Sequence, residues 1–224
     1  MNRVPAEDKR LENIARYFDD KIQTFGPNPQ GVDWKDERGQ ILRFNSFETL
    51  FRRSQGEFSV IDFGCGYGAL VDWLDDQGFK YSYLGLDISA DMVASAKSRL
   101  GDKEKVDFRV FSGERGGLSA LPEADFTVAS GTFNVKLDAD PKVWQDHVNQ
   151  TIEALFGSSR KGIAINFLSD FAEDSKRDSK RDSKLHYQKS ADLCRGGEKP
   201  MSRLVRLDHL YSPWEFTFTA LKSL

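Results

Sequence analysis

Val60-Ile61-Asp62-Phe63-Gly64-Cys65-Gly66-Tyr67-Gly68-Ala69-Leu70 decides how this chain folds. The apolar run from Phe58 to Phe63 reads as a buried strand, three glycines at alternate positions break it, and a helical pattern begins at Ala69. A strand, a glycine turn and a helix in that order let a nucleotide-like ligand press against bare backbone. A second strand, Tyr81-Ser82-Tyr83-Leu84-Gly85-Leu86, ends in Asp87, 23 positions after Gly64. An acidic residue at that distance reaches the hydroxyls of a ribose. Together the two features point to an adenosine-containing cofactor.

The glycine spacing argues against a dinucleotide. That fingerprint is G-x-G-x-x-G and sets a pyrophosphate on the helix N-terminus. Here the third glycine comes one residue early, and Asp62 stands just before the turn, where its charge opposes a pyrophosphate and favours a cation. S-adenosylmethionine carries a sulfonium, an ammonium and no phosphate. Ile61 to Gly68 and Gly85-Leu86-Asp87-Ile88-Ser89 resemble the first two motifs of the class I S-adenosylmethionine-dependent methyltransferases. Further stretches are similar to a small bacterial subgroup of that family: Gly31-Val32-Asp33-Trp34, Gln40, Arg43-Phe44, Ala129 to Leu137, Lys161-Gly162, Asn166-Phe167-Leu168 and Trp214-Glu215-Phe216-Thr217. The resemblance therefore covers nearly the whole chain.

Outside these motifs the pattern predicts one α/β domain of 224 residues. Residues 7–24 and 41–54 have helical apolar spacing, and residues 1–55 form a helical cap ahead of a core over 56–224. Seven strands are predicted: Phe58–Phe63, Tyr81–Leu86, Val106–Phe111, Ala124–Ser130, Gly162–Phe167, Arg203–Asp208 and Trp214–Ala220. Helices start near Ala69, Ala90, Gly117 and Pro141. Alternating strands and helices mean a mostly parallel, Rossmann-like sheet with helices on both faces. The last two strands are joined by Tyr211-Ser212-Pro213, too short for a crossover, so they run antiparallel. The family's fold likewise has seven strands with the last inserted antiparallel. Residues 174–184 repeat Asp-Ser-Lys-Arg with no apolar residue, so 172–186 reads as a flexible charged loop beyond the fifth strand.

Composition narrows the functional classes. The net charge of −3 gives no global field toward nucleic acid or anionic membrane. No apolar run approaches the ~20 residues of a membrane span, and the N-terminus lacks a signal-peptide core. Two cysteines make neither a disulfide framework nor a zinc site. The expectation is a cytoplasmic protein without a structural metal. Oligomeric state has no signature in the sequence.

The resemblance implies a role for particular residues. Gly64, Gly66 and Gly68 let the backbone approach the methionine part and ribose. Asp62 faces the ammonium, Asp87 accepts from the ribose hydroxyls, and Ile88 packs on adenine. Ser112 or Gly113 contacts the adenine edge. Ser130 and Gly131 line the methionine side, and Arg43 pairs with the cofactor carboxylate. Methyl transfer from a sulfonium is an in-line displacement that needs alignment and sometimes a base, so no triad is required. Tyr17, Asn134 and His209 are the candidate catalytic groups, with His147, His186 and a stacking Trp34 as further possibilities. Cys65 is read as a space-filler rather than a nucleophile. The position after the fourth strand reads Ser130-Gly131-Thr132-Phe133-Asn134, not the Asn/Asp-Pro-Pro-aromatic of amino-methylating DNA enzymes. The expected acceptor is therefore a small molecule, with S-adenosylhomocysteine as the second product. The alternatives are a protein that binds the cofactor without catalysis and a nicotinamide-dependent oxidoreductase.

Overall fold

A computed structural model describes residues 6–111, 117–173, 182–195 and 202–223. β1 (Phe58–Phe63) pairs in parallel with β2 (Tyr81–Asp87) on one side and with β4 (Ala124–Ser130) on the other. β3 (Val106–Val110) extends the sheet beyond β2, and β5 (Ser159–Leu168) extends it beyond β4. β7 (Glu215–Leu221) inserts antiparallel between β5 and β6 (Leu204–Asp208), which gives the order β3-β2-β1-β4-β5-β7-β6. The strand order reverses between β1 and β4, and a crevice opens at that switch point beyond the strands' carboxyl ends.

Both faces of the sheet are covered, which is why β1 is apolar almost throughout. Phe58 and Val60 turn to one face, Ile61 and Phe63 to the other. On the first face lie α2 (Glu37–Asn45), α3 (Glu48–Phe51), α4 (Ala69–Asp76) and α5 (Ala90–Leu100). Phe51 stacks on Phe58 at 5.1 Å, and Phe58 meets Phe126 edge-on at 5.5 Å. On the second face α6 (Pro141–Ser158) lays Trp144, Val148, Ile152 and Leu155 against Ile163, Ile165 and Phe218. Ile14 of α1 (Ala6–Phe25) joins that second core. Among the described residues no helix is long and apolar enough to cross a membrane.

Two elements differ from the sequence pattern. The single helix expected over 41–54 is two: Asp36 caps the Gly39 amide at 2.8 Å and starts α2 early, and Ser46 Oγ turns back onto the Arg43 carbonyl at 2.6 Å and ends it. The helix expected at Gly117 is only a short 3-10 turn, Gly117–Ala120, because Pro122 holds Leu121 out of helical conformation. The helix starts at Ala90 and Pro141 follow side-chain caps. Ser89 Oγ accepts from Met92 N at 3.0 Å, and Asp140 accepts from Lys142 N and Val143 N ahead of α6.

Candidate functional site

A cavity of about 480 Å³ lies at the switch point, with the glycine turn as its floor. Leu11, Ile14 and Phe18 of α1 cover it, and Val32 and Trp34 from the following loop close one side. α1 is fastened at the C-terminal end of that span. Tyr17 O–H donates to Asp33 Oδ2 at 2.6 Å, Lys21 Nζ pairs with Asp33 Oδ1 at 2.8 Å, and Ser89 Oγ donates to Asp19 Oδ1 at 2.5 Å.

The turn is built around Asp87. Gly66 N donates to Asp87 Oδ2 at 2.8 Å and Ser89 N to Oδ1 at 2.9 Å, so one carboxylate ties the first turn to the second. Gly66 sits at φ +54°, and a Cβ there would lie 2.8 Å from Val32 Cγ1 of the covering loop. Asp87 keeps a second lone pair on each oxygen for a ligand. Asp62 is 4% exposed, and Tyr83 O–H donates to its Oδ2 at 2.8 Å. Burial pushes Asp62 up to about 7, with Asp87 adding to the rise and the Tyr83 hydrogen bond opposing it. Burial likewise raises Asp87 to about 6 against the pull of the Ser89 and Gly66 amides. Among the described residues neither carboxylate has an ion-pair partner. Two desolvated acids facing a largely apolar cavity make a donor set suited to a cation and to hydroxyl groups. Burial also pushes the Cys65 thiol well up, beside those two acids, so it stays protonated.

Of the residues singled out from sequence, Asp62, Gly64, Gly66, Asp87, Ile88, Ser130 and Gly131 line the cavity. Gly68 does not; its Cα faces Leu100 and Phe108, where α4 packs on α5 and β3. Ser112 and Gly113 lie outside the described residues. Arg43 stands behind the wall: it forms an ion pair with Glu215, donates to the Gly39 carbonyl, and lies 3.8 Å over the Trp34 ring. Tyr17 is engaged with Asp33. Asn134 accepts from Leu168 N at 3.1 Å and its carbonyl from His186 N at 2.8 Å, which fixes the loop after β4 rather than facing the cavity. His209 packs on Phe216 at 5.0 Å, and His186 is buried beside Gln188 Oε1 at 3.2 Å, where burial lowers its pKa. His147, beside Trp144 on α6, is the histidine in the wall.

Sequence reasoning did not assign Gln40 to the site. It is buried in the wall, its Oε1 accepts from Tyr67 O–H at 2.8 Å, and it shares a helix face with Phe44 four residues on. That i, i+4 spacing was the available signal. Thr132, whose Oγ1 donates to the Phe63 carbonyl at 2.7 Å, also lines the cavity and carried none.

Comparison with known proteins agrees with this geometry. Residues 60–155, from β1 through most of α6, match the family model described as a methyltransferase domain. A Mycobacterium tuberculosis (strain H37Rv) protein named "Putative methyltransferase Rv1506c" is 38% identical over 169 residues, 74% of this chain and 94% of that protein. Among solved structures, magnesium protoporphyrin IX methyltransferase from Synechocystis PCC 6803 superposes with a TM-score of 0.63 with S-adenosylhomocysteine bound. That match has 14% identity and covers 95% of this chain and 99% of that one. Its S-adenosylmethionine complex gives 0.61 at 16% identity, over the full length of both chains. An S-adenosylmethionine-dependent methyltransferase from Clostridium acetobutylicum ATCC 824 gives 0.56 at 13% identity, covering 93% and 97%. At such identities the solved structures speak for the fold, while the mycobacterial relative speaks for descent. With a matching family model, a relative aligned over nearly its whole length and an acid-lined glycine turn at the switch point, this chain belongs to the class I S-adenosylmethionine-dependent methyltransferases.

Proposed function

We propose that this methyltransferase modifies a small molecule enclosed in the cavity under α1. The observation that carries the reading is the enclosure itself: about 480 Å³, covered by Leu11, Ile14 and Phe18 and walled by the loop of Val32 and Trp34. That is the size and apolar character of a small-ligand pocket. The net charge of −3 favours no polyanionic acceptor.

Bound S-adenosylmethionine supplies a methyl carbon made electrophilic by the adjoining sulfonium. The chain's own residues bind, orient and exclude water. Asp62 holds the ammonium through Oδ1 while Tyr83 keeps Oδ2. Asp87 takes the ribose hydroxyls on its remaining lone pairs. Ile88, Phe111 and Leu118 offer apolar surface to the adenine, and Gln40, Ser130 and Gly131 line the methionine side. Arg43, expected from sequence at the cofactor carboxylate, instead supports Trp34 and is committed to Glu215.

The test uses S-adenosylmethionine tritiated on the methyl group, incubated with purified protein and bacterial extract. Enzyme-dependent label in the filtrate below about 3 kDa, abolished by Asp87→Ala, is expected. Label confined to retained protein or nucleic acid would overturn the small-molecule reading.

A further inference from the structure

Trp34 is mounted in an unusual way. The Arg43 guanidinium lies 3.8 Å from the centroid of its ring, well inside cation–π range. Arg43 is itself clamped: one terminal nitrogen pairs with Glu215 of β7, the other donates to the Gly39 carbonyl of α2, and Nε is buried with no hydrogen-bond partner. An unsatisfied guanidinium N–H is costly unless a π face takes the place of an acceptor. The edge of the indole is fixed as well. Gly131, at φ +71°, brings its Cα so close that a Cβ would lie 2.6 Å from Trp34 Cη2 and nearer still to Cζ2. Trp34 is part of the cavity wall and Arg43 is not, so the indole stands between the guanidinium and the cavity. One face is held by a cation and one edge by the end of β4, which leaves the remaining face to the ligand.

We propose that Trp34 is the platform for the methyl acceptor, and that the acceptor is a flat aromatic or conjugated small molecule with electron-rich ring substituents. The inference rests on the small-molecule reading above and narrows it. A flat ring follows from the geometry, because a rigid indole fixed on one face and one edge selects a planar partner in offset stacking. Electron richness follows from the charge behind it, because a guanidinium draws the indole's π density to its own side and leaves the cavity face favourable to a donor ring. A ring of that kind also carries the oxygen, nitrogen or carbon nucleophile that methylation needs. The location is consistent, since Gly131 and Ser130 continue the wall from Trp34 across the end of β4. Glu215 and Arg43 act through Trp34 and are positioning residues.

The experiment measures size-matched fragment pairs by saturation-transfer NMR on the protein loaded with S-adenosylhomocysteine. The pairs are catechol with cis-1,2-cyclohexanediol, and 8-hydroxyquinoline with its perhydro counterpart. Saturable binding of the aromatic member alone is expected. Trp34→Leu should weaken it at least tenfold while S-adenosylhomocysteine affinity stays within twofold, and Trp34→Phe should restore most of it. Arg43→Met, which keeps the packing but removes the charge, should weaken the aromatic fragments about threefold. Equal binding within each pair, or no aromatic binding, overturns the platform. Loss of S-adenosylhomocysteine affinity in Trp34→Leu also overturns it, because Trp34 would then belong to the cofactor. These outcomes are separate from failure of the parent reading, which is scored by whether tritium reaches the low-molecular-weight filtrate at all.

Discussion

Asp62→Asn should stabilise the ligand-free protein and ruin its hold on the cofactor. Asp62 is buried at the floor of the cavity, and burial carries its carboxyl from an ordinary 3.8 up to about 7. The folded chain therefore binds more protons than the unfolded chain between about pH 4 and pH 7. Stability present below the unfolded value is lost as pH rises through the folded one. A displacement of that size corresponds to at most about 4 kcal/mol of unfavourable ionisation at pH 8. Asparagine keeps the shape, still accepts from Tyr83 O–H, and has no charge to bury. At roughly 2–4 °C per kcal/mol for a chain of this size, the ligand-free variant should melt up to about 16 °C above wild type at pH 8, with little difference at pH 4. Its affinity for S-adenosylhomocysteine should fall by at least ~30-fold, the cost of leaving a buried ammonium unpaired.

The same linkage has a calorimetric signature. If the ammonium binds only the ionised carboxylate, about one molecule in eleven is ready at pH 6 and about ten in eleven at pH 8. Wild-type affinity should then drop about tenfold from pH 8 to pH 6. Binding at pH 6 should release about 0.9 proton from Asp62, read as the part of the slope of apparent enthalpy against buffer ionisation enthalpy that depends on Asp62. Asp62→Asn should abolish the Asp62 share of the release. 5′-Methylthioadenosine, which has the ribose and adenine but no ammonium, should release none through Asp62. A ligand-free variant less stable than wild type at pH 8, or proton-neutral binding by wild type at pH 6, would refute the reasoning.

Three neighbouring changes separate the parts of the site. Asp87→Ala removes the acceptor for Gly66 N and Ser89 N, and should weaken S-adenosylhomocysteine and 5′-methylthioadenosine alike by more than ~10-fold in calorimetry, since both carry the ribose. Tyr83→Phe deletes the hydrogen bond that opposes protonation of Asp62, so the pH midpoint of S-adenosylhomocysteine binding should move upward, while 5′-methylthioadenosine is unaffected. Gly131→Ala combines a left-handed backbone with a clash against the Trp34 ring, and should cost about 2 kcal/mol in urea unfolding together with a shift in tryptophan emission.

The glycine turn and its acidic partner were legible because their signals are local. Phe58–Phe63, the turn and the start of α4 at Ala69 are contiguous, each governed by its own backbone chemistry, and Asp87 meets the turn directly through Gly66 N. The parallel sheet follows from the same alternation, and the antiparallel β7 from a connection too short to cross over. The wall opposite the turn was not legible because it is assembled from distant pieces. Nothing near Arg43 indicates that Glu215, 172 positions away on an antiparallel strand, will take its charge. With that partner hidden, the sequence favours the cofactor carboxylate; with it in place, the guanidinium becomes the backing of Trp34. The three histidines pose the same problem. His147 follows Trp144 by one helical turn and so shares the inward stripe of α6 near the sheet's carboxyl edge, a clue present in the sequence. His209 sits at a strand end that reads as a site edge until Phe171 and Phe216 are seen to flank it. Motifs encode what a ligand asks of the backbone, and an aligned backbone is what every member of this family needs. The side-chain surface opposite the turn exists only once α1, α2 and β7 have come together.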